Sequence, residues 1–206
     1  MDFEATEQPS PTAKNETVMP RRLPNASYRV REHLMPAEVD RLVAEARNNR
    51  HGHRDATMII LAYRHGLRAS ELCALEWTQV SFETATLHVN RVKLGLPSTH
   101  PLTGDELRAL RRLQRESTTS PFIFVSERGA PFGRAGFARM IERAAAGAGL
   151  EIKAHAHMLR HACGTYLAST GTDMLTIKSY LGHRDIRSTA HYTALASDCF
   201  KGLWHD

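Results

Sequence analysis

HAHMLRHACG, residues 155–164, is the most informative stretch of the sequence, and YLGHRDIRSTAHYTA follows it at residues 180–194. His157 and His161 are four residues apart, so on a helix they share one face. Zinc peptidases use this spacing around a glutamate, but Met158 occupies that position here, and Arg160 adds a fixed cation. Because an arginine among histidines suits an anion better than a metal ion, we predict an anion site and no metal site.

Two further motifs flank this stretch. Downstream, Leu181-Gly182-His183 is followed nine residues later by Tyr192. Upstream, Arg68 lies within GLRASEL, residues 66–72, directly after a glycine break. A glycine readily ends a helix, so Arg68 is expected at the mouth of the next helix, with its guanidinium in a cleft. Taken singly, these residues could equally be a surface cation, a loop histidine and a half-buried aromatic.

Taken together and in this order, the motifs resemble the active-site series of the tyrosine recombinase (phage integrase) family. The resemblance covers roughly residues 34–204, and it is specific because H-x-L-R lies between GLRASEL and the LGH…Y pair. STHPL at residues 98–102, HAHMLRHACG and YLGHRDIRSTAHYTA are similar to the small fimbrial phase-switch invertases of that family. The longer, Pro-rich N-terminal segment departs from those invertases and leaves the target-site preference open.

The resemblance implies a set of catalytic residues: Arg68, Lys93, His157, Arg160, His183 and Tyr192. The two arginines would clamp the non-bridging oxygens of a DNA phosphate, and Tyr192 would attack the phosphorus to form a 3′-phosphotyrosine. His157 would be the acid–base partner of the nucleophile, and His183 would hydrogen-bond the phosphate. Glu71 would orient the clamp as a supporting residue.

The resemblance assigns protonation of the departing 5′ oxygen to Lys93. This residue lies in a predicted turn between strands, and it is the only lysine in that turn. Arg91 lies two residues earlier, on the predicted strand that leads into this turn. The assignment therefore depends on where that strand ends.

The chemistry explains why these residue types are needed. A free tyrosine has a pKa of about 10, so it is a poor nucleophile at neutral pH unless cations crowd its phenol. Planar, permanently charged arginines bind phosphate oxygens and stabilise the charge that builds in the pentacovalent transition state. Because the covalent link stores the energy of the broken bond, the resemblance implies that no ATP, metal or other cofactor is needed.

The implied function is site-specific recombination that inverts or integrates a DNA segment. The implied partners are double-stranded DNA with specific recombination sites, a homotetramer on two such sites formed from monomers or dimers, and accessory DNA-bending proteins. Two alternatives use the same residues or fold: a type IB topoisomerase-like relaxing or resolving enzyme, and a non-catalytic DNA-binding regulator. A third alternative is a metal-binding protein that uses its 12 histidines, which metal analysis would test.

Composition narrows the class of protein. A formal charge of +5 and 42% hydrophobic residues predict a packed globule with a mild preference for polyanions. Cys73, Cys163 and Cys199 are widely spaced and form no CxxC pair, which argues against a disulfide framework or a cysteine zinc site. No apolar run approaches the ~18 residues of a membrane span. We therefore expect a cytoplasmic protein with no membrane partner, and the family resemblance implies that it is bacterial and nucleoid-associated.

The chain is expected to divide at residue 33. Residues 1–33 contain four prolines and resemble a flexible leader, acidic in its first half and basic in its second. Residues 34–206 are expected to form the catalytic domain, with no separate N-terminal core-binding domain. Hydrophobic periodicity predicts a mainly α (α+β) fold, in which helices accompany a small antiparallel three-stranded sheet.

Local signals predict where several elements begin. Helix starts are expected at Pro36, at the T-x-x-E capping box of Thr103, at Asp173 and at Ser188. Two strands are expected within residues 80–92, and a third around residue 100.

Overall fold

The computed structural model describes residues 31–91, 95–116 and 120–195, and only the backbone of residues 193–195. The helices in these ranges are α1 Pro36–Ala46, α2 Gly52–Arg64, α3 Ala69–Cys73, α4 Gly104–Glu116, α5 Arg134–Gly147, α6 Ala156–Ser169, α7 Met174–Leu181 and α8 Arg187–Leu195. The strands are β1 Val80–Ser81, β2 Thr86–Val89 and β3 Ser98–Pro101. The predicted mainly α (α+β) fold with a three-stranded sheet is confirmed.

The sheet is antiparallel in the order β1-β2-β3. Leu87 pairs with Val80 on one side and with His100 on the other, so β2 is the central strand. Leu87 and Val89 are buried while His88 between them is exposed, which is the alternation expected of a half-buried strand. The sheet thus presents one apolar face to the helices.

The core lies between the helices, with α2 at its centre. Met58, Ile59 and Leu61 on α2 are fully buried, and α2 packs against α1, α4 and α6. Phe137 on α5 and Met158 on α6 extend the same cluster. Burial of such side chains contributes roughly 1.5–3 kcal/mol each, so α2 is held firmly, and its C-terminal end is a fixed reference point for the site.

Three of the predicted helix starts are confirmed and one is wrong. The N–H of Thr103 donates to Glu106 Oε2 at 2.8 Å before α4, and Asp173 accepts hydrogen bonds at the start of α7. Pro36 opens α1. Helix α8, however, begins at Arg187, whose N–H donates to Asp185 Oδ1 at 2.9 Å. Because Asp185 satisfies this first N–H group, the helix starts before Ser188.

Several predictions fall wholly or partly outside the described residues: the leader up to residue 30, Lys93, Cys199 and the end of the domain predicted to run to residue 206. Residues 31–33 are described, and Arg31 pairs with Glu38 of α1 at 2.6 Å. The division at residue 33 stays a prediction. Among the described helices, none combines the length and apolar character needed to cross a membrane.

Candidate active site

The C-terminal end of α2 supplies the centre of the site. Gly66 has a φ of 57°, a left-handed conformation that glycine adopts readily, and a Cβ there would overlap the Leu181 side chain. The Gly66 carbonyl accepts a hydrogen bond of 2.5 Å from Nη1 of Arg160. Nη2 of Arg160 donates to the carbonyl of Leu181 at 2.7 Å. Arg160, on α6, thereby ties the ends of α2 and α7 together.

Arg160 is a buried cation with N–H donors beyond those that bind the two carbonyls. The residue is 1% exposed, and burial, together with the positive charges of Arg68 and Arg91, lowers its pKa to about 10. An arginine has five N–H donors, and the two contacts with Gly66 and Leu181 leave donors for a ligand. Since like charges surround it, Arg160 lies where an anion would be stabilised.

Glu71 joins two arginines. Nη1 of Arg68 donates to Glu71 Oε1 at 2.6 Å, and Nη1 of Arg91 donates to Oε2 at 3.0 Å. The N–H of Arg68 also donates to Oε2, so the carboxylate holds the first turn of α3. Burial alone would raise the pKa of Glu71, but the hydrogen bonds from Arg68 and the charge of Arg91 outweigh it and lower that pKa. Glu71 therefore stays ionised and fixes the Arg68 guanidinium.

Tyr192 on α8 is 2% exposed. Its ring lies against Gly164 of α6, where a Cβ would come within 2.6 Å of the ring. Its phenol oxygen lies 3.2 Å from Nδ1 of His161. Burial raises the pKa of Tyr192 to about 12, although the charge of Arg160 acts in the opposite direction. In this structure the phenol is protonated and shielded from water.

Two histidines lie beside the phenol. The ring centroid of His157 is 4.5 Å from that of His161. The hydrogen-bonding neighbour of Tyr192 is His161, and the ring of His157 packs against that of His161. Burial and the proximity of His157 lower the pKa of His161 to about 3, so its ring is neutral.

His183 also lies beside Tyr192. The two rings are stacked with centroids 6.2 Å apart. Nδ1 of His183 lies 2.9 Å from the hydroxyl of Thr189, which is fully buried. Burial and the charge of Arg160 lower the pKa of His183 to about 4. Thr189 thus fixes the imidazole plane and leaves Nε2 as the nitrogen turned to other partners.

The structure brings five of the predicted catalytic residues into one cluster and adds three residues. The five are Arg68, His157, Arg160, His183 and Tyr192, with Glu71 beside them, while Lys93 lies outside the described residues. Sequence reasoning did not assign roles to Arg91, His161 or Thr189. The position of His161 four residues after His157 was the available signal for it. Among the described residues, no group of three or more His, Cys, Asp or Glu is arranged to hold a metal ion.

Comparison with known proteins agrees with this geometry. Residues 32–198 match the phage integrase family. The type 1 fimbriae regulatory protein FimB of Escherichia coli K12 is 36% identical over 184 residues, which cover 87% of this chain and 92% of FimB. FimE of the same strain is 39% identical over 180 residues, covering 84% of this chain and 91% of FimE.

A solved structure shows the same fold. The XerH site-specific recombinase bound to palindromic difH substrate, a post-cleavage complex, superposes with a TM-score of 0.72 at 21% identity. The superposition covers 84% of this chain and 52% of the XerH chain. From the match over most of its length and the identity to FimB and FimE, the chain belongs to the phage integrase family, the tyrosine-type site-specific recombinases.

Proposed function

We propose that the chain cleaves and rejoins double-stranded DNA at specific sites through a transient bond between Tyr192 and a 3′ phosphate. The observation that carries this proposal is the meeting of Arg68 and Arg160 at the end of α2, beside the helix that bears Tyr192. Two arginines held from behind by carbonyl and carboxylate groups form a rigid receptor for one phosphate.

In the proposed reaction, Arg68 and Arg160 bind the two non-bridging oxygens. The Tyr192 oxygen attacks phosphorus and passes its proton to His157, the bond from phosphorus to O5′ breaks, and Lys93 gives a proton to the departing O5′. His183 donates from Nε2 to the phosphate, because Thr189 already occupies Nδ1. Rejoining reverses these steps with the 5′ hydroxyl of another strand, so the bond count is conserved and no cofactor is consumed.

The tyrosine must change its surroundings before it reacts. The Tyr192 phenol is 2% exposed, so it has to be uncovered before it meets a DNA phosphate, and its pKa of about 12 makes it a poor nucleophile where it lies. DNA binding therefore has to release the phenol from His161 and bring it to the arginines. His157 keeps the acid–base role that the family resemblance gives it, and its ring contacts that of His161.

The proposed biological outcome is inversion or integration of a DNA segment. The similarity to two fimbriae regulatory proteins favours inversion as a phase switch, with control of transcription as the result. A homotetramer on two sites, assisted by DNA-bending proteins in the bacterial cytoplasm, is the proposed working assembly. The DNA complex of XerH supports DNA as the partner.

A covalent adduct tests the proposal directly. Fragments of host DNA that stay attached to the protein in sodium dodecyl sulfate would identify the target site. A nicked duplex of that site loses the short 5′-hydroxyl fragment after cleavage and traps the adduct. Wild type should accumulate adduct, and Tyr192→Phe should bind the same duplex and form none. Adduct in the Tyr192→Phe variant would show that another residue is the nucleophile.

The purified protein and its target site also distinguish recombination from the two alternative functions. A plasmid with two inverted target sites should be inverted, and a plasmid without sites should keep its supercoils. Relaxation without inversion would favour the topoisomerase-like alternative. Tight site binding with no adduct from wild type would favour a non-catalytic regulator.

A further inference from the structure

Arg91 is a fully buried cation directly behind the two clamp arginines. Its side chain is 0% exposed, and it follows β2 by two residues. Nη1 donates to Glu71 Oε2 at 3.0 Å and to the Gly66 carbonyl at 3.4 Å. Nη2 donates to the carbonyls of His65, at 3.3 Å, and of Tyr180. One guanidinium thus joins the end of α2, the helix α3 and the last turn of α7.

Two of these acceptors are shared with the clamp. The carboxylate of Glu71 accepts from Arg91 on one oxygen and from Arg68 on the other. The Gly66 carbonyl accepts from Arg91 and also from Arg160, at 2.5 Å. A displacement of Arg91 would therefore remove one donor from the carboxylate that supports Arg68 and one from the carbonyl that supports Arg160.

Gly182 makes room for this side chain. It closes α7 with a φ of 65°, and a Cβ there would lie 2.6 Å from Arg91 Cγ and 2.9 Å from Nε. Both distances are shorter than van der Waals contact. The glycine of the Leu181-Gly182-His183 motif is thus needed for the helix end and also for the passage of the Arg91 chain.

Space filling alone is a poor explanation for a charge at this position. A buried charge is costly to desolvate, and well-packed apolar side chains of similar volume often match or exceed a buried ion pair in stability. Burial does disfavour the charge of Arg91 and lowers its pKa, and Glu71 opposes that effect. The contacts of Arg91 instead fall on the groups that orient Arg68 and Arg160.

We propose that Arg91 is a positioning residue for DNA cleavage: through Glu71 and the Gly66 carbonyl it holds Arg68 and Arg160 in the geometry that receives the phosphate. The inference rests on the proposed function, since it assumes that these two arginines bind the cleaved phosphate. Arg91 itself need not touch DNA. A misplacement of about 1 Å at a reacting group can reduce a rate by about 100-fold.

The test compares two nicked duplexes of the target site. One carries an ordinary phosphate at the cleaved position, and the other carries a methylphosphonate, in which a neutral methyl replaces one charged oxygen. Because the clamp stabilises charge on those oxygens, a clamp defect should matter less on the neutral substrate. The rate of Tyr192 adduct formation at saturating DNA and the affinity for DNA are measured for wild type, Arg91→Met and Arg91→Lys.

Arg54→Met is the matched control. The Arg54 guanidinium also pairs with a carboxylate, that of Asp55 at 2.8 Å, and donates to the Val125 carbonyl at 3.0 Å. It lies near the N-terminal end of α2, and the rise of that helix puts it about 15–20 Å from Gly66. The Arg54→Met variant therefore also loses a partly buried arginine, but one that is remote from Arg68 and Arg160.

We expect both Arg91 variants to bind DNA like wild type and to form adduct about 10- to 100-fold more slowly on the phosphate. The deficit should shrink at least tenfold on the methylphosphonate, in the manner of an electrostatic clamp defect. Unchanged rates, or an equal deficit on both substrates, would overturn the positioning role. If Arg91→Met does not fold, Arg91→Lys decides, because its ammonium keeps the pair with Glu71 and loses the fork. Wild type that forms no adduct on either duplex would instead count against the proposed function.

Discussion

Replacing Arg160 with methionine should slow DNA cleavage strongly and leave the fold nearly as stable as before. Arg160 is 1% exposed, and its surroundings lower its pKa from the ordinary 12.5 to about 10. A fall of about 2.5 units corresponds to roughly 3 kcal/mol against the charged form. An uncharged methionine avoids that cost.

Opposing this gain is the loss of two hydrogen bonds. The Gly66 carbonyl keeps Arg91 as a donor, but the Leu181 carbonyl loses its bond from Arg160. A buried carbonyl left without a partner costs roughly 1–3 kcal/mol. The two effects nearly cancel, so the melting temperature should stay within about 5 °C of wild type. Cleavage should fall by about 100-fold or more, as for loss of a donor to a developing oxyanion.

The assay pairs thermal melting with adduct formation on the nicked duplex. Arg54→Met provides the opposite pattern, because it removes the cation paired with the Asp55 carboxylate, whose side chain is 4% exposed, and leaves Asn49 Nδ2 as a neutral donor at 3.0 Å. It should melt several degrees lower, as expected for roughly 1–3 kcal/mol, and its folded fraction should cleave normally. Adduct formation by Arg160→Met within about tenfold of wild type would refute the clamp assignment, given the usual size of such effects. A melting temperature more than about 10 °C lower would refute the electrostatic argument.

Three further outcomes are expected. Cleavage should be unchanged in EDTA, and a loss restored by Mg²⁺ or Zn²⁺ would contradict the cofactor-free reaction. Burial lowers the pKa values of His100, His161 and His183 to about 3, 3 and 4, so below about pH 6.5 only the unfolded chain takes up their protons. The free energy of unfolding should then fall on acidification by up to roughly 1.4 kcal/mol per pH unit for each histidine. Urea titrations at several pH values should show a shallower fall for His100→Gln than for wild type. Equal slopes would show that His100 does not contribute to the pH dependence. Gly164→Ala places a methyl 2.6 Å from the Tyr192 ring. Adduct formation should slow about 100-fold while the affinity for DNA stays unchanged. An unchanged rate would show that the packing of Tyr192 on Gly164 does not affect the attack.

Local patterns predicted the elements and most members of the site. The capping box at Thr103, the helix end at Gly66 and the order of the motifs depend on neighbouring residues, so the sequence displays them. The early start of α8 was missed because Asp185 and Ser188 both resemble caps, and only the folded backbone shows which one accepts the first N–H.

Contacts between distant residues were beyond such patterns. The partners of Arg91 are 20 to 89 residues away along the chain, and nothing around it distinguishes a buried arginine from one on a strand edge. The contact of Tyr192 with His161, 31 residues away, likewise depends on how α8 packs on α6. Helix spacing placed His157 and His161 on one face, but it could not tell which of them meets the phenol.

The position of the site follows from the ends of two helices. Gly66 and Gly182 end α2 and α7 in left-handed conformations, and the last carbonyls of a helix have no partner within it. Those carbonyls carry the negative end of the helix dipole, so on their own they would repel a phosphate. Arg160 reverses the sign: it donates to the Leu181 carbonyl at the end of α7 and to the Gly66 carbonyl two residues beyond α2, and it keeps its remaining donors for a ligand. The carbonyls compensate in part for burying the cation, which explains how the proposed phosphate site can form among buried side chains.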